Sequence, residues 1–171
     1  AIWQRIGREP SGTAFNSLVQ LEYESGIPRN PFINAGALVV TDIILSHLPD
    51  AQQTVRDFVR KLANNDTLAF DLAVASSEKA TGYRNVALAN FIKSFGNMQN
   101  EPADVLNAYF HHCALAMNCV DVARAGLFLV NGGKLLWNDE RVIRSNQAKY
   151  IKSLMLTCGT YDSVGDFAYR V

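Results

Sequence analysis

One proline-containing stretch constrains this chain more than any other, because it passes from a rigid extended segment into a buried helix. It reads Gly-Ile-Pro-Arg-Asn-Pro-Phe-Ile-Asn-Ala-Gly-Ala and spans residues 26–37. Its two prolines fix their own φ angles and disfavour helix in the residues before them. The pattern predicts that Asn30 caps a helix whose first position is Pro31. Apolar residues then recur at helical spacing, which predicts that the helix continues to about His47.

The first turn of this predicted helix carries an amide side chain with small neighbours. Asn34 lies beside backbone N–H groups that have no partner within the helix and that attract anions. Ala35, Gly36 and Ala37 follow it and leave room for another group to approach closely. Two interpretations are open: a tightly packed helix start, or a small-molecule site in which Asn34 is a bidentate amide. The local features alone are more typical of the first.

The composition argues against several classes of function. The chain has 171 residues, one domain or part of one, and its hydrophobic content of 49% suffices for a core. Sixteen basic residues balance sixteen acidic ones, so we expect no nucleic-acid partner. The longest apolar run, residues 35–45, is too short to span a membrane. No signal peptide is visible and the three cysteines lack metal-ligand spacing, which favours a cytoplasmic protein.

Helices are predicted for most of the chain, about six in all. The second is predicted to begin at Asp50, with Gln53 completing a capping box. A polar loop is predicted at residues 76–85, ahead of another helix, and Glu101-Pro102 is typical of a helix start. Later helices are predicted from about Val120 and from Ser145.

Extended structure is predicted in only a few places. A small hairpin is expected at residues 135–143, and residues 167–170 look like part of a strand. Residues 15–23 and 69–75 stay ambiguous between a helix and an extended segment.

Two patterns that could carry chemistry have simpler explanations. Ser76-Ser77-Glu78-Lys79 matches the Ser-x-x-Lys motif, in which a lysine amine takes the serine proton. Such short patterns often arise by chance, and both serines are good helix caps. His111 and His112 are adjacent, so they point to different faces of a helix and cannot share a metal ion. We therefore predict neither a metal site nor a cofactor.

Four other polar residues are ambiguous on spacing alone. Glu78 and Asn85 are two helical turns apart and would share a face if this segment were helical, where they could hold an ammonium group. Alternatively, Glu78 pairs with a neighbouring cation or with solvent. Tyr109 fits a core tyrosine, and Tyr161 fits a loop anchor after a glycine. Spacing alone does not identify an enzyme.

Taken together, several of these segments resemble the serine-dependent glutaminases. The resemblance covers nearly the whole chain, and the matching motifs occur in the family's order and at its spacing. Residues 16–18 and 93–97 also resemble bacterial members of the family. It implies hydrolysis of L-glutamine to L-glutamate and ammonia on an α+β fold like that of β-lactamases and transpeptidases. This segment would supply mostly the helical subdomain, with parts of the antiparallel sheet. The motifs that carry it are residues 31–37, Ser77-Glu78 with Arg84-Asn85, Tyr109-Phe110 with Cys113, and Gly159-Thr160-Tyr161.

The resemblance also implies roles for individual residues. Asn34, Glu78 and Asn85 would bind the amino-acid end of glutamine. Tyr109 would be a proton relay near the nucleophile, and the hydroxyl of Tyr161 would line the reacting amide. The implied chemistry is acyl transfer through a serine acyl-enzyme. L-glutamine is the implied partner, and members of the family assemble as dimers or tetramers.

The chain departs from the family pattern at its two ends. The family's Ser-x-x-Lys nucleophile would precede Ala1, and its Lys-Ser-Gly stretch and an oxyanion-hole N–H would follow Val171. Ser76 cannot replace the nucleophile, because Glu78 aligns with the family's ligand-binding glutamate. We therefore expect residues 1–171 to be the central part of a single glutaminase domain, inactive by itself.

Two other functions stay open. One is a β-lactamase-like or D,D-peptidase-like relative, although Glu78 with Asn85 suits a free amino acid better than an acyl-peptide groove. The other is a non-catalytic helical interaction module that keeps the glutaminase core without its nucleophile. A gene that begins and ends near these residues would favour the module.

Overall fold

The computed structural model describes residues 2–171, and this part of the chain forms nine α-helices and two short 3-10 helices. The 3-10 helices are Ile2–Gln4 and Tyr161–Ser163. No helix within residues 2–171 combines the length and the apolar character needed to cross a membrane. The α-helices are α1 (Leu18–Tyr23), α2 (Asn34–His47), α3 (Ala51–Ala63), α4 (Leu72–Thr81), α5 (Tyr83–Ser94), α6 (Pro102–Cys113), α7 (Cys119–Val130), α8 (Ser145–Cys158) and α9 (Val164–Arg170).

Helix α2 lies at the centre of the main hydrophobic core. It packs against α5 and α6, while α4 covers another side of α6 and α3 packs on α7. Burial of these side chains supplies most of the driving force that holds the helices together. The side chains that fill the interface of α2, α5 and α6 include Leu38, Val39, Leu88, Ile92, Val105 and Phe110.

The predicted start of α2 is wrong by three residues. The helix begins at Asn34, not Pro31, although its end at His47 is confirmed. The buried Asn30 side chain accepts hydrogen bonds from the backbone N–H groups of Phe32 and Ile33, at 3.0 and 3.2 Å. Such local bonds form a turn that competes with helix formation. Asn30 therefore stabilises a turn ahead of α2, which begins only at Asn34, and does not cap the helix.

Gly36 is the position in α2 where a side chain fits least. A Cβ there would overlap the backbone carbonyl oxygen of Asn30, which belongs to the turn that precedes the helix. We expect Gly36→Ala to lower the free energy of unfolding by about 1–3 kcal/mol, the usual cost of overpacking. Gly126→Ala is the matched control, since a Cβ in α7 would meet nothing within 4 Å.

Urea denaturation of the full-length protein measures both glycine variants. Alanine at residue 126 is expected to be neutral, or to stabilise by up to about 1 kcal/mol, because alanine is the better helix former. Equal effects of the two substitutions on the free energy of unfolding would contradict the close approach of Asn30 to α2.

The prediction of a polar loop at residues 76–85 is also wrong. Helix α4 covers Leu72–Thr81 and is capped by Asp71, whose carboxylate accepts from the N–H groups of Ala73 and Val74. Ser76 and Ser77 therefore lie inside a helix and cap nothing. The chain breaks only at Gly82, and α5 follows at once.

The predicted extended segments are not found within residues 2–171. Pairing there is limited to two isolated bridges, Phe70 with Leu115 and Lys134 with Arg141, and the second is what remains of the predicted hairpin. The strand predicted at residues 167–170 is wrong, because α9 covers it. An ion pair one helical turn apart, between Asp166 and Arg170, supports the helix. The predicted share of an antiparallel sheet is thus not seen in the described residues.

Candidate active site

The candidate site begins where the start of α2 meets α5. Asn34 is the first residue of α2, and its Nδ2 donates a 2.9 Å hydrogen bond to Oδ1 of Asn85 near the start of α5. The backbone N–H of Asn34 donates to the carbonyl of Phe15, also at 2.9 Å. Both asparagine side chains are half-buried. Two of the five predicted site residues are therefore in direct contact across 51 positions of sequence.

Three neighbouring polar side chains affect the pKa of Tyr109 on α6. Burial is the main cause that raises the pKa of its hydroxyl above the usual range, and the neighbouring Cys113 thiol adds to the shift. The negative charge of Glu78 raises the pKa of Tyr109 further and Tyr161 acts in the same direction, so both side chains lie within electrostatic range of its oxygen. Tyr109 therefore stays protonated at neutral pH.

Tyr161 is held by an unusual backbone and by one aromatic contact. It opens the 3-10 helix after α8 with a φ angle of 54°, in the left-handed region that non-glycine residues seldom adopt. Its ring lies 5.3 Å from the ring of Phe15, centroid to centroid. Because the carbonyl of Phe15 accepts from the N–H of Asn34, one residue connects Tyr161 to the start of α2. Backbone strain of this kind is common at functional sites.

A cavity of about 390 Å³ adjoins this cluster. Thr41, Tyr109, His112 and Cys113 are its polar lining residues, and the apolar lining comes largely from α2 and α3. Burial lowers the pKa of His112, whose Nε2 lies 3.3 Å from the carbonyl of Ala51. Neutral at physiological pH, His112 brings no charge to the cavity. The apolar lining residues are Pro31, Ala37, Val40, Ile44 and Val55.

The other patterns considered in the sequence lie elsewhere. Ser76 and Lys79 line a different cavity of about 240 Å³ between α4 and α6, which none of the five predicted site residues lines. The ring of His111 contacts Phe70, with 5.5 Å between ring centroids. Across residues 2–171, no three His, Cys, Asp or Glu side chains are grouped so that they could hold a metal ion.

Comparison with known proteins identifies the family of the chain. The family model described as Glutaminase matches residues 1–171. The chain belongs to the glutaminase family. It is 57% identical to the glutaminase of Mesorhizobium japonicum over 173 aligned residues, which cover 100% of the chain and 55% of that relative. The glutaminase of Ralstonia nicotianae is 55% identical over 171 residues, covering 100% of the chain and 56% of the relative.

Solved structures to which the chain is similar have the same arrangement of helices. The crystal structure of a probable glutaminase of Bacillus subtilis superposes with a TM-score of 0.92 at 34% identity, over 98% of this glutaminase chain and 54% of that one. The crystal structure of Mglu in its glutamate form superposes with a TM-score of 0.87 at 31% identity, over 96% of this chain and 38% of the Mglu chain. The chain thus spans just over half the length of the curated glutaminases it matches.

Proposed function

We propose that the whole protein containing this glutaminase segment hydrolyses L-glutamine to L-glutamate and ammonia. The observation that carries the proposal is the family match over residues 1–171, since it includes every residue of the polar cluster. Asn34 and Asn85 contact each other, and Glu78, Tyr109 and Tyr161 lie in one electrostatic neighbourhood. A carboxylate, two amides and two phenols can form ion pairs or hydrogen bonds with the ammonium, carboxylate and amide groups of free glutamine.

The hydrogen bond between the two asparagines determines what each of them offers a ligand. Asn34 donates through Nδ2 and Asn85 accepts through Oδ1, which leaves Oδ1 of Asn34 and the Nδ2 protons of Asn85 for the substrate. An amide oxygen accepts from an ammonium group, and an amide nitrogen donates to a carboxylate. We assign the α-ammonium of glutamine to Glu78 and Asn34, and its α-carboxylate to Asn85. A compound without one of these charges would leave a polar partner unsatisfied.

The proposed reaction proceeds through a serine acyl-enzyme, with the nucleophile in the part of the domain outside residues 1–171. The serine oxygen attacks the side-chain amide carbon of glutamine, and the carbon–nitrogen bond breaks as the amide nitrogen takes the serine proton and leaves as ammonia. Water then hydrolyses the resulting ester to glutamate and free serine. Tyr109 is assigned as the proton relay, because its raised pKa keeps the phenol proton in place until it is needed. Tyr161 is assigned to the amide end of the substrate.

The same proposal extends to the fold and assembly of the whole protein. Residues 1–171 are assigned to the central part of one domain with a β-lactamase/transpeptidase-like α+β fold, whose antiparallel sheet comes largely from the remaining chain. We propose a cytoplasmic homo-oligomer, a dimer or tetramer, with no nucleic-acid partner. The balance of sixteen basic and sixteen acidic residues supports the last point.

Ammonia release by the full-length protein tests the proposed activity. L-glutamine and N-acetyl-L-glutamine are compared, because acetylation removes the α-ammonium charge and leaves the reacting amide unchanged. We expect kcat/KM for the acetylated compound to fall by about a hundredfold or more, the usual loss when a buried charge loses its partner. Equal turnover of both compounds would contradict the assigned clamp. A protein that cleaves an acyl-D-Ala-D-Ala peptide instead is a D,D-peptidase relative, and one inert to all three fits the interaction module.

A further inference from the structure

We propose that Phe15 is a positioning residue, whose ring holds Tyr161 in place at the amide end of the active site. The inference rests on the proposed glutaminase function, in which Tyr161 lies at the amide end of the substrate. Phe15 itself belongs to none of the groups assigned to the substrate. Its role follows from two contacts, one of its backbone and one of its ring, which lead to opposite ends of the assigned site.

Hydrogen bonds on either side fix the backbone of Phe15. Its carbonyl accepts from the N–H of Asn34, the first residue of α2, at 2.9 Å. It lies in a turn that the N–H of Ser17 closes by donating to the carbonyl of Ala14 at 3.1 Å. Ser17 then caps α1. Phe15 is thus tied to the starts of two helices, which gives its ring a fixed base.

The ring of Phe15 packs against the ring of Tyr161. Their centroids are 5.3 Å apart and their planes are inclined by 46°. This separation lies within the range over which aromatic side chains attract each other. Phe15 is 45% exposed and Tyr161 is half-buried. The pair therefore lies at the edge of the core, where a ligand can reach it.

The backbone of Tyr161 needs such a contact to keep its conformation. Its φ angle of 54° is in the left-handed region, which a bulky side chain keeps only where the surrounding structure holds it. The preceding side chain gives no such support, because the buried hydroxyl of Thr160 has no hydrogen-bond partner within residues 2–171. We therefore assign the holding contact to the ring of Phe15.

Mutation can separate the two contacts of Phe15. Alanine removes the ring but keeps the backbone carbonyl, so the bond from Asn34 is retained. The side-chain bond from Asn34 to Asn85 does not involve Phe15. Phe15→Ala should therefore loosen Tyr161 and leave the assigned clamp for the amino-acid end intact. A loss confined to kcat follows, because substrate binding by the clamp is unchanged.

The first experiment measures nitration of Tyr161 by tetranitromethane in the full-length protein, located by tandem mass spectrometry. The reagent attacks ring carbons, so a covered ring reacts slowly. Attraction within such an aromatic pair favours contact by a factor of about two to ten, so Phe15→Ala is expected to speed nitration of Tyr161 by about that factor. Tyr169 is 90% exposed on α9 and is the internal reference, with equal rates expected in both proteins.

The second experiment measures kcat and KM for L-glutamine in the full-length protein. Phe15→Ala is expected to lower kcat about two- to tenfold with KM nearly unchanged. Phe15→Tyr keeps an aromatic ring and is expected to recover most of the rate. In a Tyr161→Phe background, Phe15→Ala is expected to have little further effect on kcat, because the hydroxyl that the ring positions is already gone.

Phe95→Ala is the matched control for both experiments. Phe95 is also 45% exposed, and its ring lies 5.2 Å from the ring of Phe91. It directly follows the last residue of α5, about 15 Å along the helix axis from Asn85. The control variant thus loses an aromatic pair of the same kind outside the assigned site, and it is expected to leave nitration of Tyr161 and both kinetic constants unchanged.

The outcomes separate this proposal from the proposed function. An unchanged nitration rate of Tyr161 in Phe15→Ala would overturn the proposal whether or not the protein turns over glutamine. A wild-type kcat in Phe15→Ala would also overturn it, as would a tyrosine variant no faster than the alanine variant, or equal effects of Phe15→Ala and Phe95→Ala. A parent protein inert on glutamine would refute the function, and the nitration rates would still decide whether Phe15 holds Tyr161.

Discussion

Replacing Asp42 with alanine is expected to lower the free energy of unfolding by about 3–5 kcal/mol, the cost of removing one member of a buried ion pair. The carboxylate is fully buried in α2 and forms an ion pair with Arg5. It also accepts from the backbone N–H groups of Gln99 and Asn100, at 3.0 and 2.8 Å, and from Nδ2 of Asn100 at 2.7 Å. Alanine would leave a guanidinium and several N–H donors without their acceptor.

Urea denaturation of the full-length protein measures this loss. Asp166→Ala is the matched control, because Asp166 is exposed and its ion pair with Arg170 is expected to contribute less than about 1 kcal/mol. Similar losses in the two variants would contradict the central place of Asp42, which joins the start of the chain and the segment after α5 to α2.

The contribution of Asp42 to the free energy of unfolding is also expected to depend on pH. Burial alone raises the pKa of Asp42, but hydrogen bonds from Gln99, Arg5 and Asn100 outweigh it and hold the pKa below the usual 3.8. A group whose folded-state pKa is lowered stabilises the fold above its unfolded pKa, and this contribution is lost as the pH falls through the folded-state value. The difference in the free energy of unfolding between wild type and Asp42→Ala is therefore expected to be largest near neutral pH and to become smaller below about pH 4.

Local sequence signals predicted several helix boundaries correctly. Asp50 caps α3, accepting from the N–H of Gln53 at 2.9 Å, and α6 begins at Pro102 after Glu101. The end of α2 at His47 also followed from the pattern. These features depend on residues within one turn of each other, which is the range over which capping chemistry acts.

Predictions that depended on distant contacts were less successful. Phe58, Phe95 and Val130 fit the helical spacing of apolar residues, yet 45%, 45% and 70% of their surfaces are exposed in the described chain. Periodicity identifies an apolar face but does not say what covers it. Conversely, Asp42 sits within an apolar run, and only the folded contacts with Arg5 and Asn100 reveal its function.

The site shows the same division between local and distant information. Glu78 and Asn85 would share a face only within one continuous helix, and Gly82 instead separates them onto α4 and α5. The contact of Asn34 with Asn85 spans too much sequence for any local pattern, so only the family resemblance pointed to it.

The largest effect on activity is expected for Glu78→Gln. Its carboxylate is half-buried on α4, and its charge acts on both Tyr109 and Cys113. In the proposed site it is the only anionic group assigned to the substrate ammonium. Glutamine has nearly the same shape but no charge, so the substitution leaves that ammonium without a counter-charge. The expected loss in kcat/KM is about a hundredfold or more, typical of truncating one partner of a desolvated charge pair.

The kcat/KM for L-glutamine of full-length Glu78→Gln, measured by ammonia release, tests whether Glu78 binds the substrate ammonium. Glu22→Gln is the matched control, since Glu22 is exposed on α1 and is expected to leave kcat/KM unchanged. We expect kcat/KM to fall by about a hundredfold or more in Glu78→Gln only, with thermal stability close to wild type in both variants. Near wild-type kcat/KM in Glu78→Gln would contradict the assignment of this cluster as the glutamine site.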